Sequence, residues 1–395
     1  MIEGVGRSGN MSVNNVSRKA FPYPVCLSIV FAASLLVLLS SCSRQGHQWK
    51  GTVEERDGIR IVWNPRDPIH KEDVFSLKEE LSIGHEEGKE EQIFTSINDI
   101  AVDANENVYL LDLRQGQIRV FDKYGNHLRN IGKRGQGPGE FQFPVQILIS
   151  PHQELVICDL MVRRLIFLWL DGTFKRSAPT WKHGRLTRVS VDSEDHIIGE
   201  TLLSGEKKGF TVMKFNPDFE ELFTIAVKER GKIPILEDLS PRIVWSVSEN
   251  DDIIWADSEK YEISVFDRHG KLVKKIIKEF TPERIIEVEY RKQISVKFGG
   301  RPIPPDFEQE LPKYYPAFRS LEKDDQGRLL VGTYEKVKGG EGRYTDVFSQ
   351  ESQFIARIPL AIHPRIWKKG KIYTVEEDET GYPVMKRYGV TWKIN

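Results

Sequence analysis

The sequence predicts an all-β fold, a six-bladed β-propeller of four-stranded antiparallel blades, and three observations lead to it. One phrase of four short strands recurs six times at a spacing of about fifty residues, the period of propeller blades. Its apolar runs are brief and bounded by Gly, Asn and Asp, the pattern of strands between tight turns. The last copy stops after its third strand, while an unattached strand-like segment precedes the first. With 39% apolar residues, 29% charged residues, 31 Gly and 20 Pro in 395, the chain is folded and turn-rich, neither disordered nor collagen-like. A formal net charge of −1 gives no footprint of a general nucleic-acid binder, so no nucleic-acid partner is expected. Three cysteines are too few for a disulfide framework or a four-cysteine zinc site.

Taken in chain order, residues 25–39 (VCLSIVFAASLLVLL) form the longest apolar run, preceded by Arg18 and Lys19. Its length suits a signal-peptide core better than a bilayer span of about 20 residues. Leu39-Ser40-Ser41-Cys42 follows at once and resembles the lipobox of bacterial lipoproteins. The resemblance implies a signal peptide over residues 1–41 cleaved before Cys42, and diacylglycerol on the Cys42 thiol. It also implies acylation of the new amino terminus, with palmitate as the expected chain. Several acyl chains anchor stably where one binds only marginally. Ser43 rather than Asp after the lipidated cysteine implies an address at the outer membrane of the cell envelope. An uncleaved membrane helix and an ordinary secretory signal are the alternatives, and Met11 is a second candidate start. Processing would leave a net charge of −3, discard Cys26 and leave Cys158 as the sole free thiol. Cys158 lies between Ile157 and Asp159 in an apolar strand pattern and is expected to be buried rather than nucleophilic. Residues 42–74 form a lipidated tether and N-terminal extension; 43–61 are its polar part, and 60–63 are a candidate strand outside the ring.

The propeller is expected over residues 75–395. Residues 75–84 (FSLKEELSIG) match the fourth strand and exit of a unit, and would complete the last blade, closing the ring without a free terminal edge. The clearest copy, residues 98–128, places strands at 100–102, 108–111, 118–122 and 127–131. Copies follow at 145–175, 187–223, 242–277, 316–358 and 365–392. Between the fourth and fifth lies an insertion, 278–315. Thr281-Pro282-Glu283 offers an N-cap, a proline at the first helical position and an acid in the first turn, predicting a helix to about residue 293. A Gly/Pro-rich loop with Arg301 follows, then a candidate helical turn at 306–311, then Tyr314-Tyr315-Pro316.

The phrase GQGPGEFQFP at 135–144, with Asp112, QIRVFD at 117–122 and Gly125, resembles an NHL-type repeat. The chain as a whole is similar to bacterial six-bladed β-propeller lipoproteins. The glycines at 132, 135, 137 and 139 do not make a phosphate loop, because a strand rather than a helix follows them.

Aligning the copies on their second strand puts Asp112, Asp159, Thr201, Asp257, Thr333 and Glu376 in one column. Acceptors at a strand end commonly bond the N–H groups of the following turn. A metal-binding ring is the sharper alternative, weakened by two threonines, which do not replace carboxylates at calcium or magnesium. Early residues of each inner strand, Asn98, Gln146, Arg188, Trp245, Arg319 and Arg365, are candidates to line the channel. Three arginines there would favour an acidic ligand, since guanidinium matches carboxylate and phosphate geometry. On the insertion, Arg301, Tyr314 and Tyr315 are candidate contacts, because binding groups concentrate on loops held by a rigid scaffold; packing the insertion onto the ring is the alternative role.

No HxxxH, HExxH or GxSxG spacing occurs, and no cofactor is expected. The sequence therefore favours a monomeric, membrane-anchored binding or scaffolding propeller for an envelope protein, peptide or glycan. A metal-dependent, lactonase-like hydrolase or lyase with its site in the channel is the alternative.

Overall fold

Most hairpin tips of the repeat are built by one device. After a first strand, Asp103 accepts the N–H groups of Asn105 and Asn107, both at 2.8 Å, and Asp192 accepts those of Glu194 and His196, both at 2.9 Å. After a third strand, Asp122, Asn216 and Asp267 do the same for the residues two and four further on, as does Asp378 after the second strand of the last blade. A short side-chain acceptor bonded at i+2 and i+4 folds the loop over itself and leaves residue i+3 left-handed. Gly125 takes that position at φ 89°, and Glu106 and Asp195 take it at 65° and 64°.

A computed structural model describes residues 48–71, 73–84, 90–203, 209–229, 241–286 and 312–394, with Val288 and Arg291. Three strands precede the repeats: β1 (Thr52–Arg56), β2 (Ile59–Asn64) and β3 (Phe75–Ile83). The first blade is β4 (Asp99–Val102), β5 (Val108–Asp112), β6 (Gln117–Phe121) and β7 (His127–Ile131). The second is β8 (Pro144–Ile149), β9 (Glu154–Asp159), β10 (Arg164–Trp169) and β11 (Phe174–Pro179), and the third β12 (Arg185–Val191), β13 (Ile197–Leu203), β14 (Gly209–Phe215) and β15 (Glu221–Glu229). The fourth is β16 (Ile243–Val247), β17 (Ile253–Asp257), β18 (Glu262–Phe266) and β19 (Leu272–Lys278), and the fifth β20 (Ser320–Lys323), β21 (Leu329–Lys336), β22 (Arg343–Phe348) and β23 (Phe354–Leu360). The sixth joins β24 (Ile366–Lys368), β25 (Lys371–Glu377) and β26 (Pro383–Trp392) to β3, which pairs antiparallel with β26 from Met385↔Ile83 to Trp392↔Phe75. Each blade is an antiparallel meander, so the chain is an all-β six-bladed propeller.

Six apolar clusters hold the ring, each shared by two neighbouring blades. Leu111, Ile118 and Ile131 of the first blade meet Ile147, Ile157 and Ile166 of the second, for example, and Tyr373 and Met385 of the sixth meet Ile100 and Phe121 of the first. Most of these side chains are fully buried, each contributing about 1.5–3 kcal/mol relative to exposure.

Two expectations need correction. Residues 43–61 are not a polar tether throughout, because β1 and β2 form a hairpin whose second strand runs parallel to β19, from Lys274↔Arg60 to Lys278↔Asn64, widening the fourth blade to six strands. The outer edge of β19 offers unpaired backbone groups, and Ile61 and Val62 bury themselves against it. Trp49 also donates its indole N–H to Asn64 Oδ1 at 3.0 Å. Thr281-Pro282-Glu283 does not open a helix either. Residues 281–286 are not helical, and Arg284 bridges antiparallel to Tyr314: Ile285 N–H donates to Lys313 O at 3.0 Å and Tyr315 N–H to Glu283 O at 2.9 Å. That cross-strand pairing gives the backbone partners that a helical turn would otherwise supply. Val288 and Arg291 are helical; Arg301, the helical turn expected at 306–311, and Cys42 with the signal peptide expected before it lie outside the described residues.

Candidate functional site

All six inner strands start on the same face, because each blade's outer strand ends there and hands the chain to the next inner strand. Consequently Asn98, Gln146, Arg188, Arg319 and Arg365 come together, together with Arg242, around a cavity of about 630 Å³. Arg188 and Gln146 also border a second space of about 240 Å³ further along the axis.

Four guanidinium groups, from Arg188, Arg242, Arg319 and Arg365, line the larger cavity on four successive blades. Among the described residues none of the four has a carboxylate within ion-pair distance. Their hydrogen bonds go to neutral groups: Arg188 donates to Trp245 O at 2.9 Å, and Arg242 to Arg319 O at 2.8 Å. The Arg188 guanidinium also lies 4.7 Å from the centre of the Trp245 ring, a cation–π contact. Arg188 is exposed, yet the protein around its guanidinium removes part of its hydration and lowers its pKa from the ordinary arginine range without discharging it.

Four carboxylates border the cavity, those of Asp99, Glu200, Glu229 and Glu322, and neutral donors hold three of them. Glu200 accepts the Trp245 indole N–H at 3.0 Å and lies 3.0 Å from the Thr187 hydroxyl. Glu322 accepts the Trp367 indole N–H at 2.9 Å. Asp99 accepts the Ile147 N–H at 2.9 Å across the junction of the first two blades. Burial raises Asp99 to about 6, against the opposing pull of its backbone donors and of Arg365 and Arg188. Burial likewise raises Glu322. The four acids match the four arginines in number but form no ion pair with them among the described residues, so the cavity offers guanidinium donors to an oxyanion.

Other expected site residues sit differently. Trp245 is 1% exposed, and its role is to position Arg188 and Glu200 rather than to meet a ligand. Asn98 borders the cavity, but its Oδ1 accepts Leu113 N–H at 3.1 Å. Gln146 turns its amide onto Val189, accepting from N at 2.7 Å and donating to O at 2.9 Å. Tyr315 stacks on Tyr334 at 4.8 Å between ring centres, with the Arg343 guanidinium 5.8 Å from each ring, so it packs the base of the insertion onto the fifth blade. Tyr314 is exposed beside Arg284, outside the cavity lining. Sequence reasoning missed Arg242, Asp99, Glu200 and Glu322. Arg242 immediately precedes the inner strand β16, as Arg319 does β20 and Arg365 does β24, and that shared position was the available signal.

The column of strand-end acceptors divides. Asp112 accepts Gln115 N–H at 3.0 Å, Asp159 accepts Met161 N–H at 3.0 Å and Asp257 accepts Glu259 N–H at 3.1 Å, each holding its turn. Thr333 instead donates to Tyr344 O at 2.7 Å, and Glu376 accepts from the Tyr388 hydroxyl at 2.9 Å. Among the described residues no three His, Cys, Asp or Glu side chains are placed to share a metal ion. Nor is any helix of the described residues long and apolar enough to cross a membrane.

Residues 86–179 match the family DUF5128, described as a 6-bladed beta-propeller. No curated protein matches the chain. Among solved structures, a protein of Bacteroides fragilis designated as exported is similar at 10% identity and a TM-score of 0.53, over 85% of this chain and 100% of that one. A DUF4221 family member of Bacteroides vulgatus is similar at 12% identity and a TM-score of 0.54, over 82% of this chain and 100% of that one. At these identities the likeness extends to the fold alone.

Proposed function

We propose that this chain is an extracytoplasmic, lipid-anchored binding propeller that takes an acidic ligand at the arginine-lined end of its channel. The observation that carries the reading is the set of four guanidinium groups on one cavity, none of them in an ion pair among the described residues. The lipobox-like Leu39-Ser40-Ser41-Cys42 supports the anchor and the envelope address, and the likeness to a protein designated as exported is consistent with a location outside the cytoplasm. A protein partner is accommodated if it presents an acidic peptide to the cavity.

The test is to purify the full chain from its own envelope in mild detergent, release what it holds by denaturation, and identify the anions by mass spectrometry. An acidic molecule should accompany the wild type and be absent from the Arg188→Gln/Arg365→Gln double variant. Recovery of the same molecules from both would defeat the reading. For the anchor, Cys42→Ser should leave the precursor uncleaved and unlipidated; normal processing of that variant would refute the lipoprotein assignment.

A further inference from the structure

A chamber of about 190 Å³ lies between the fifth and sixth blades, and Arg242, Arg319, Glu322 and Arg365 border both it and the main cavity. Two of its guanidiniums keep donors without an acceptor among the described residues. Arg319 Nε is buried with no hydrogen-bond partner, while Arg319 Nη1 lies 3.3 Å from His363 Nδ1. A guanidinium can only donate, so Nδ1 is the acceptor and the imidazole hydrogen sits on Nε2. Burial and the guanidiniums of Arg319, Arg343 and Arg365 hold His363 below the ordinary imidazole range, in keeping with that neutral form. The Arg365 side chain has no hydrogen bond or ion pair among the described residues. The absence of a side chain at Gly332 keeps the space open: a Cβ there would stand 2.4 Å from Ser320 Oγ and 3.4 Å from Arg319 Nε. Glu322 is the chamber's carboxylate, and the Trp367 indole already engages it.

We propose that this chamber is a carboxylate subsite, and that the ligand of the channel is a small polycarboxylate. One carboxylate is held by Arg319, Arg365 and the Nε2–H of His363, and another by Arg188 and Arg242 in the main cavity. The inference rests on the reading of the channel as an anion site and names its ligand class. Two observations select that class. The guanidiniums are spread over four adjoining blades rather than gathered at one point, which suits separate carboxylates. Phe210 is the one aromatic residue among the described residues lining the main cavity, so no broad stacking platform faces a sugar ring. A volume of about 630 Å³ also falls within the range of small-ligand sites rather than docking faces.

Isothermal titration of the full chain in mild detergent with tricarballylate tests the proposal, with propionate and inorganic phosphate as parallel arms. Tricarballylate should bind about tenfold or more tighter than either, and Arg365→Gln should weaken it by about tenfold or more, as expected for one lost charge-assisted contact. The unfolding midpoint of Arg365→Gln without ligand should match the wild type, because that side chain has no hydrogen bond or ion pair among the described residues. Gly332→Ala, which crowds Arg319, should weaken tricarballylate independently. Tricarballylate that binds no better than propionate, that is indifferent to Arg365→Gln, or that is outcompeted by phosphate would overturn the inference. If another acid then binds and is weakened by Arg188→Gln, the anion reading of the channel survives alone. If no acid binds and no arginine variant matters, both fall.

Discussion

Replacing Asp99 by Asn should make the protein more stable at neutral pH, because it keeps the hydrogen bond to Ile147 N–H and changes only the charge of the acceptor. Asp99 accepts Ile147 N–H, and an Asn side-chain oxygen can accept the same donor at the same place. What changes is the charge. Burial lifts the carboxyl from 3.8 to about 6, so the folded chain binds its proton more tightly than the unfolded chain does. For an acid raised in this way, stability is complete below the unfolded value and falls as pH climbs through the folded one. The cost at neutral pH is up to about 3 kcal/mol, at about 1.4 kcal/mol for each pKa unit. Urea unfolding should place Asp99→Asn within about 0.5 kcal/mol of the wild type near pH 4, and ahead of it by up to about 3 kcal/mol near pH 7.5. The same variant should hold an acidic ligand more tightly at neutral pH, by removing a like charge from the cavity. A variant less stable than the wild type at neutral pH, or a gap independent of pH, would refute the reasoning.

Three further outcomes are expected. Asp192 and Lys214 form a buried pair at 2.7 Å, so Asp192→Asn should cost about 3–5 kcal/mol in chemical denaturation by stranding the ammonium. Burial alone would raise Asp192, but Lys214 and the N–H groups of Glu194 and His196 hold it below the ordinary range. Its stabilisation is therefore present above the unfolded value of about 3.9 and lost as pH falls through the lower folded one, and Asp192→Asn should flatten that acid limb. Phe75 packs edge-on to Trp392 at 4.9 Å across the junction of β3 and β26, and Phe75→Ala should cost about 3–5 kcal/mol in the same assay. Burial pushes the Cys158 thiol up to about 12, so iodoacetamide at neutral pH should leave it unmodified in the folded chain and alkylate it in denaturant.

The strands of the repeat were legible because each hairpin carries its own signal: an apolar run, then a short acceptor two and four residues before the N–H groups it binds. The sequence marks β2 at residues 60–63 as a strand outside the ring but not its partner β1, although Asp57-Gly58 is the dipeptide of a tight two-residue turn and both residues are left-handed, at φ 54° and 73°. Its strands are polar on most exposed positions, and nothing local marks the distant edge of β19 that they join. Thr281-Pro282-Glu283 misled for the converse reason: the capping pattern is local, while the partner that overrides it, residues 313–315, lies beyond the insertion. At the site, Arg188, Arg319 and Arg365 were found by their place at the start of inner strands. In the fourth blade the cavity is lined by Arg242 rather than by Trp245, three residues later, because alternation along a strand reverses inward and outward with each residue. Glu200 was out of reach, since it enters the cavity from β13, the second strand of its blade.

Diffraction from crystals of the full chain, prepared with the acid that accompanies it from its own envelope, tests the central claim most directly. The account predicts density inside the cavity of about 630 Å³, with its anionic group within hydrogen-bond reach of at least two of Arg188, Arg242, Arg319 and Arg365. Ligand density elsewhere on the propeller, or a ligand in the cavity that turns a neutral face to those arginines, would contradict it.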